Sequence, residues 1–128
     1  MSPAKLRCIV IDHDPDFLEK ARRWFVTSCT DFEVLPFSSS LDAVEFLREK
    51  RVDLILTAYL MPQIDGLQLI SIARGLHPRV PIVMTSGVPI CAAALARGAT
   101  AFFAKGSIWL HLDATLARLR RHLSPAAA

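Results

Sequence analysis

Apolar and polar positions follow two different periods along the chain. Short apolar runs rich in branched residues are typical of buried strands, and here they alternate with segments whose apolar side chains recur at helical spacing. The predicted strands are residues 6–11, 32–37, 52–58 and 82–86, with a fifth inside 98–105. The residues predicted on the buried face of the first helix are Phe17, Ala21, Trp24, Phe25 and Ser28. Alternating strands and helices of this kind indicate a parallel sheet with helices on both faces.

Capping residues and prolines give the helix boundaries. The predicted caps or first residues are Asp14 with Pro15, Ser40, Asp65 with Gly66, and Pro89, and the last helix is predicted over 107–123. The positions predicted to point inward in the second and third helices are Leu41, Val44, Leu47, Leu67, Ile70, Ala73 and Leu76. The whole pattern predicts a flavodoxin-like (βα)5 α/β fold, a three-layer sandwich whose five-stranded parallel sheet has the order 2-1-3-4-5.

Composition narrows the class of protein. A chain of 128 residues with 52% hydrophobic content fits one globular domain, expected over 1–123 with a C-terminal tail or linker stub at 124–128. The chain has no apolar run of membrane-spanning length and no signal-peptide pattern, so a cytoplasmic protein without membrane contact is predicted. The net charge of +3 is small and spread out, which does not indicate nucleic-acid binding. The three scattered cysteines are expected to be reduced thiols.

Candidate chemistry lies where the predicted strands end. The residues at these tips are Asp12, His13 and Asp14 after the first strand, Ala58 at the end of the third, Thr85 and Ser86 at the end of the fourth, and Lys105 after the fifth. In open parallel sheets, ligands bind outside the carboxyl ends of the strands. Each residue also has an ordinary interpretation as a cap, a turn hydroxyl or a solvated lysine. Together, acids, a hydroxyl and a lysine could hold a tetrahedral oxyanion such as a phosphoryl group.

Four segments carry a resemblance to a known family. "IVIDHDP", "DLILTAYLMPQIDG", "PIVMTSG" and "GATAFFAKG" occur in an order and spacing that resemble the receiver domain of two-component response regulators, over nearly the whole chain. The resemblance implies a role in phosphorelay signal transduction, in which an aspartate accepts phosphate from a phosphohistidine with the help of Mg²⁺. It also implies a sensor histidine kinase or a phosphotransfer protein as partner.

The resemblance assigns roles to individual positions. It implies that Asp12 belongs to the acid pocket, that Thr85 or its neighbour Ser86 is the switch hydroxyl, and that Lys105 contacts the phosphoryl group. Phe102 would be the aromatic residue that rotates on activation. The turn after the site would be formed by Met61, Pro62, Asp65 and Gly66.

Three positions depart from the family pattern. Ala58 occupies the phosphoacceptor position, and a methyl group has no lone pair with which to attack phosphorus. His13 stands where the second acid is usual, so with Asp12 and Asp14 as the remaining acids we expect weak Mg²⁺ binding or none, and no resident cofactor. Gly106 replaces the usual proline after the lysine, so a trans peptide bond is expected there.

The departures leave two explanations and two functional classes open. Ala58 is either a natural divergence, which makes the chain a pseudo-receiver, or an engineered replacement of aspartate. The favoured function is a non-enzymatic protein-interaction module, for which the resemblance implies helix 4, strand 5 and helix 5 as the surface for a homodimer or an output domain. The alternative is a small flavodoxin-like enzyme with Asp12 or His13 as a base.

The last predicted helix carries an apolar stripe with two interpretations. Its members are Trp109, Leu112, Leu116, Leu119 and Leu123, at spacings of three and four. The stripe either packs on the sheet as part of the core, or its distal end forms a partner-binding seam beside Arg118, Arg120 and Arg121.

Overall fold

Ten elements alternate along residues 5–120, the part of the chain that the computed structural model describes. They are β1 (Leu6–Ile11), α1 (Pro15–Ser28), β2 (Phe32–Phe37), α2 (Ser40–Glu49), β3 (Leu54–Ala58), α3 (Gly66–Leu76), β4 (Ile82–Ser86), α4 (Cys91–Arg97), β5 (Ala101–Ala104) and α5 (Ile108–Leu119). All neighbouring strands pair in parallel, in the order β2-β1-β3-β4-β5. The predicted fold class and strand order are confirmed.

The sheet separates two apolar cores. On one face, α2, α3 and α4 pack against strand residues that include Ile9, Ile55 and Met84. On the other face, α1 and α5 pack against strand residues that include Val10, Leu56 and Val83. Successive residues of a strand point to opposite faces, so a strand covered on both sides must be apolar throughout. The continuous burial of β3 and β4 satisfies this requirement.

Of the five predicted helix starts, those at Asp14 and Asp65 are correct and the other three differ by one or two residues. Asp14 and Asp65 cap α1 and α3 as predicted, and Asp65 forms a capping box with Gln68. The cap of α2 is Ser39 rather than Ser40, because the Ser39 hydroxyl accepts the Asp42 N–H while Ser40 is buried. The fourth helix begins at Cys91 instead of Pro89 and has no side-chain cap.

Three positions predicted to point inward are exposed. Ser28, Leu41 and Leu76 lie within the first two or last two residues of their helices. Periodicity assigns a residue to a helix face, but burial also requires that a neighbouring element reach that far along the helix. In α3 the fully buried positions include Leu69, which the predicted inward set omits. The third strand likewise begins at Leu54, two residues after the predicted start, although Val52 is still buried.

The stripe of the last helix packs mainly inward. Leu112 and Leu116 are buried in the core that α5 shares with α1, and Trp109 packs against the same core. This supports the core interpretation for the described part of α5. Leu123 and Arg121, together with the predicted tail at 124–128, lie outside the described residues. Within residues 5–120, no helix combines the length and apolar character needed to cross a bilayer.

Candidate functional site

The strand tips meet at one edge of the sheet. Ala58 at the end of β3 lies opposite Thr85 on β4, and Ser86 lies opposite Ala104 on β5. The backbone N–H of Lys105 donates to the carbonyl oxygen of Ser86 at 3.0 Å, which extends this pairing beyond the last strand. Ala58 is only 4% exposed, so its methyl group is enclosed by the surrounding tips.

A lysine joins two carboxylates at this edge. Lys105 Nζ lies 3.0 Å from Asp12 Oδ2 and 3.9 Å from Asp14 Oδ2. The other oxygen of Asp12, Oδ1, accepts the backbone N–H of Asp14 at 2.8 Å. Asp12 is only 2% exposed, and a buried carboxylate needs such partners because it has lost its water. The structure thus brings Lys105 together with Asp12 and Asp14, two acids that lie far from it in the sequence.

An aromatic pair lies beneath the lysine. Lys105 Nζ lies 5.1 Å from the ring centroid of Phe17, a cation–π distance, and the Phe17 ring stacks on Trp109 with centroids 5.3 Å apart. Together with Asp14, Lys20 and Gly106 these residues line an open cleft of about 360 Å³. Phe17 and Trp109 were predicted only as buried helix positions, and their contact with Lys105 depends on how α1 and α5 pack. Helical periodicity carries no signal for it.

The neighbouring hydroxyls of Thr85 and Ser86 differ in their hydrogen bonding. Ser86 Oγ accepts a hydrogen bond from the backbone N–H of Val88 at 3.0 Å, so this hydroxyl stabilises the turn after β4. Thr85 Oγ1 is buried and has no hydrogen-bond partner among the described residues. Asp12 Oδ2 likewise has only its ionic contact with Lys105, without hydrogen-bond geometry. Of the two hydroxyls, Thr85 is therefore the one whose hydrogen-bonding capacity the described residues do not use.

The two aromatic residues of β5 point to opposite faces of the sheet. Phe102 packs against the core covered by α2, α3 and α4, and it is only partly buried. Phe103 packs against the other core and stacks on His111 of α5 with ring centroids 5.6 Å apart. Because β5 is an edge strand, its residues are less completely buried than those of β3 and β4.

The turn after β3 brings the start of α3 against the site. The Gly66 N–H donates to the Tyr59 carbonyl oxygen at 2.7 Å, and a Cβ at position 66 would lie 2.1 Å from the Ala58 carbonyl oxygen. Only glycine permits this approach. Pro62 accepts a hydrogen bond from the buried Ser40 hydroxyl at 3.1 Å, and Met61 packs against the core. The turn is thus fixed by contacts from both of its ends.

The donor set at this edge fits a divalent metal poorly. Mg²⁺ prefers oxygen ligands in near-octahedral geometry, and Asp12 and Asp14 supply carboxylates here. The ammonium of Lys105 lies between these two groups, and His13 is exposed. Within residues 5–120, no group of three or more acidic, histidine or cysteine side chains is placed to hold a metal ion. The Lys105–Gly106 peptide bond is trans, as predicted.

Comparisons with known proteins agree with this architecture. The family model of the response regulator receiver domain matches residues 8–116. The cyclic di-GMP phosphodiesterase response regulator RpfG of Xanthomonas campestris is 31% identical over 105 residues, which are 78% of this chain and 28% of that protein. The two-component response regulator ARR11 of Arabidopsis thaliana is 31% identical over 87 residues, or 66% of this chain and 16% of that protein. The chain therefore spans less than a third of either relative.

Solved structures of receiver domains superimpose closely on the fold. The signal receiver domain of the response regulator NarL from Mycobacterium tuberculosis has a TM-score of 0.81 and 25% identity, covering 93% of this chain and 98% of that chain. The receiver domain of an HD domain-containing protein from Pseudomonas fluorescens has a TM-score of 0.83 at 19% identity, covering 92% and 96%, which shows likeness of fold alone. With the family model matching most of its length, the chain belongs to the receiver domain family of two-component response regulators.

Proposed function

We propose that this chain is a receiver domain that signals through protein contacts and cannot form an aspartyl phosphate at position 58. The observation that carries the proposal is the side chain at the end of β3. Ala58 lies opposite Thr85 and is enclosed at the sheet edge, at the position where the family resemblance implies the phosphoacceptor. A methyl group offers no nucleophile, so phosphoryl transfer to this position is chemically impossible.

The ion pairs around Lys105 support the same proposal. The lysine ammonium already contacts the carboxylates of Asp12 and Asp14, so its charge is balanced within the domain. In a phosphorylated receiver, the resemblance implies that this lysine contacts the phosphoryl group. In this chain the carboxylates of Asp12 and Asp14 contact the lysine ammonium instead. A bound partner rather than a phosphoryl group would then set the conformation of the domain.

Phosphorylation by a small-molecule donor tests the proposal directly. The chain, Ala58→Asp and the matched control Ala58→Asn are incubated with acetyl phosphate and Mg²⁺, and base-labile acyl phosphate is measured by intact mass. We expect none on the chain or on Ala58→Asn, because neither has a carboxylate at position 58. A base-labile acyl phosphate on the unaltered chain would refute the proposal. Uptake by Ala58→Asp would show that the missing acid is the only block, whereas no uptake would implicate His13 and Gly106 as well.

The surface formed by α4, β5 and α5 is the proposed contact site for a second copy of the chain or for an output domain. Leu95 of α4 and Leu110 of α5 are 48% and 82% exposed, and Ala104 of β5 is exposed as well. Large apolar side chains exposed to this degree are typical of interaction surfaces when they lie together. Both curated relatives are longer than the receiver domain, which is compatible with an output domain. A histidine kinase or a phosphotransfer protein in the cytoplasm is the other proposed partner.

The enzymatic alternative is not favoured. Asp12 would have to act as a free base, but its carboxylate is paired with Lys105 and holds the Asp14 N–H. Receiver domains are in general signalling modules, and the family assignment covers residues 8–116. A titratable side chain at the edge of the sheet, such as His13, is by itself a weak indication of catalysis.

A further inference from the structure

The edge of the sheet opposite the candidate site carries a second cleft. All strands run in parallel, so the amino ends of β1, β2 and β3 meet at this edge, one strand length away from the tips that form the candidate site. The cleft has a volume of about 310 Å³, enough for a small ligand or for side chains of a partner. We call it the amino-edge cleft, and its lining residues are Lys5, Arg7, Glu33, Arg51 and Asp53.

Asp53 fixes the backbone of the amino-edge cleft. Its side chain is 93% buried, since only 7% of the residue is exposed, and its Oδ2 accepts the backbone N–H of Arg7 at 2.7 Å. In return, the Asp53 N–H donates to the Arg7 carbonyl oxygen at 2.8 Å. These two bonds join the residue before β3 to β1. The side chains that leave the two segments beside this junction therefore project from a fixed backbone.

The guanidinium of Arg7 is held in place by three contacts. Its Nε lies 3.4 Å from Glu33 Oε1, its Nη1 donates to the Arg51 carbonyl oxygen at 3.1 Å, and its central carbon lies 5.8 Å from the ring centroid of Phe46. Its Nη2 has no acceptor within residues 5–120. A guanidinium presents a rigid fork of donors that matches a carboxylate, and a fork already held in position loses little conformational freedom when it binds one.

Two further cations of the cleft carry charge that the described part of the chain does not balance. Lys5 and Arg51 are exposed, and neither forms an ion pair within residues 5–120. Cations in the last turn of a helix ordinarily offset the helix dipole. Lys5 precedes β1 and Arg51 lies beyond the C-cap of α2, so neither residue belongs to a helix. With three cations against two carboxylates, the amino-edge cleft has a net positive charge.

The two carboxylates in the cleft narrow the class of anion that fits. Duplex DNA carries one negative charge about every 1.7 Å along its axis, so its phosphates would meet Glu33 and Asp53 as well as the cations. The carboxylates of a protein segment are separated by neutral residues. Such a segment can contact Arg7, Lys5 and Arg51 while it avoids the acids of the cleft.

We propose that the amino-edge cleft binds an acidic segment of a partner protein, with a carboxylate of that segment on Arg7 Nη2 and further carboxylates on Lys5 and Arg51. This surface lies apart from the face formed by α4, β5 and α5. It requires no group at position 58, so its test is independent of the function proposed above.

Binding of a model acidic peptide tests the proposal. The probe is a fluorescein-labelled peptide of alternating glutamate and serine, and its affinity is measured by fluorescence anisotropy at low ionic strength. We expect saturable binding that weakens as salt is added, because the contacts are largely ionic and exposed. Arg7→Gln should raise the dissociation constant at least tenfold, and Lys5→Gln and Arg51→Gln at least threefold each.

Two controls separate the cleft from the general charge of the chain. Arg22→Gln removes the same charge from α1, where the side chain is 52% exposed, and should change the dissociation constant less than twofold. Arg7→Lys keeps the charge but loses the fork of donors, so we expect it to weaken binding at least threefold. Absence of saturable binding to the native chain, or equal losses in Arg22→Gln and Arg7→Gln, would overturn the proposal. Tighter binding of a DNA duplex than of the peptide would overturn it as well.

Chemical-shift mapping on the native chain keeps the proposal testable if Arg7→Gln is poorly folded. The nitrogen-15-labelled chain is titrated with the same peptide, and the amide shifts are followed residue by residue. We expect the largest changes at residues 5–7, 33 and 51–53, which contain the lining of the amino-edge cleft. Largest changes in α4, β5 or α5 instead would place the acidic segment on a different surface and contradict the proposal.

Discussion

Lys105 is held at the site by contacts with Asp12, Asp14 and Phe17. Its ammonium contacts the almost fully buried carboxylate of Asp12 and lies over the ring of Phe17, while its own side chain is about one-third exposed. A desolvated carboxylate left without its cation is strongly unfavourable, so the pair is expected to persist in the isolated domain. The Thr85 hydroxyl lies at the same edge and has no hydrogen-bond partner within residues 5–120.

Gly66 is predicted to be indispensable for the turn beside Ala58. In Gly66→Ala the new methyl would lie 2.1 Å from the Ala58 carbonyl oxygen, so the turn or α3 must shift. We expect the free energy of unfolding to fall by about 2–4 kcal/mol in urea titrations. The matched control is Gly75→Ala in the same helix, where a Cβ meets nothing within 4 Å. That variant should gain about 0.4–1 kcal/mol, and equal stabilities of the two variants would contradict the steric argument.

The end of α5 is tied to the loop between α1 and β2. Arg120, which follows α5, forms an ion pair with Asp31, lies 5.6 Å from the Phe32 ring centroid and approaches Cys29 Sγ at 3.7 Å. Hydrogen bonding to Arg120 lowers the pKa of Asp31 below its ordinary value of 3.8, and the pair raises the pKa of Arg120. Both side chains are about half exposed, so the ionic contribution is modest.

The pH dependence of this attachment follows from the sign of the shift. A carboxyl with a depressed pKa in the folded state stabilises the fold above its unfolded pKa, and loses this contribution as the pH falls through the folded value. Arg120→Gln should therefore lower the free energy of unfolding by about 0.5–1 kcal/mol at pH 7, with the difference from the native chain shrinking below pH 3.8. Arg118→Gln, at an exposed arginine of α5, is the control and should have little effect. A difference that grows towards acid pH would contradict this assignment.

For the whole molecule, the exposed apolar residues of α4 and α5 are expected to govern self-association. Leu110→Asp places a charge at a position that is 82% exposed and contributes little to the core, so the melting temperature should hardly change. We expect the dissociation constant of any homodimer to rise at least tenfold in sedimentation velocity experiments. Val26→Asp, at an exposed apolar position on α1, should leave association unaltered. A native chain that stays monomeric at all concentrations, or a Leu110→Asp dimer of native strength, would exclude this surface as the dimer interface.

Much of the architecture could be derived from the chain alone. The bounds of β1, β2 and β4 agree with prediction because each is a short, largely apolar run limited by polar residues, a proline or a glycine. Asp14 and Asp65 cap helices through bonds to residues close in sequence. The roles that family resemblance implies for Thr85, Phe102 and Lys105 remain predictions. The capping error at Ser40 has a local cause, since three adjacent serines offer equivalent caps and only burial under Pro62 excludes one of them.

The charge network at the sheet edge and the contacts of Arg74 were decided only by the folded chain. Hydrophobic periodicity records which face of an element is buried, because burial depends on a repeat of local geometry. It does not record which distant group meets a given charge. From the sequence, Arg74 is an ordinary cation in the last turn of a helix, yet in the fold it binds carbonyl oxygens of two loops. The partners of Arg74 and Lys105 depend on the packing of segments far apart in the chain, and that distance information exists only in the tertiary structure.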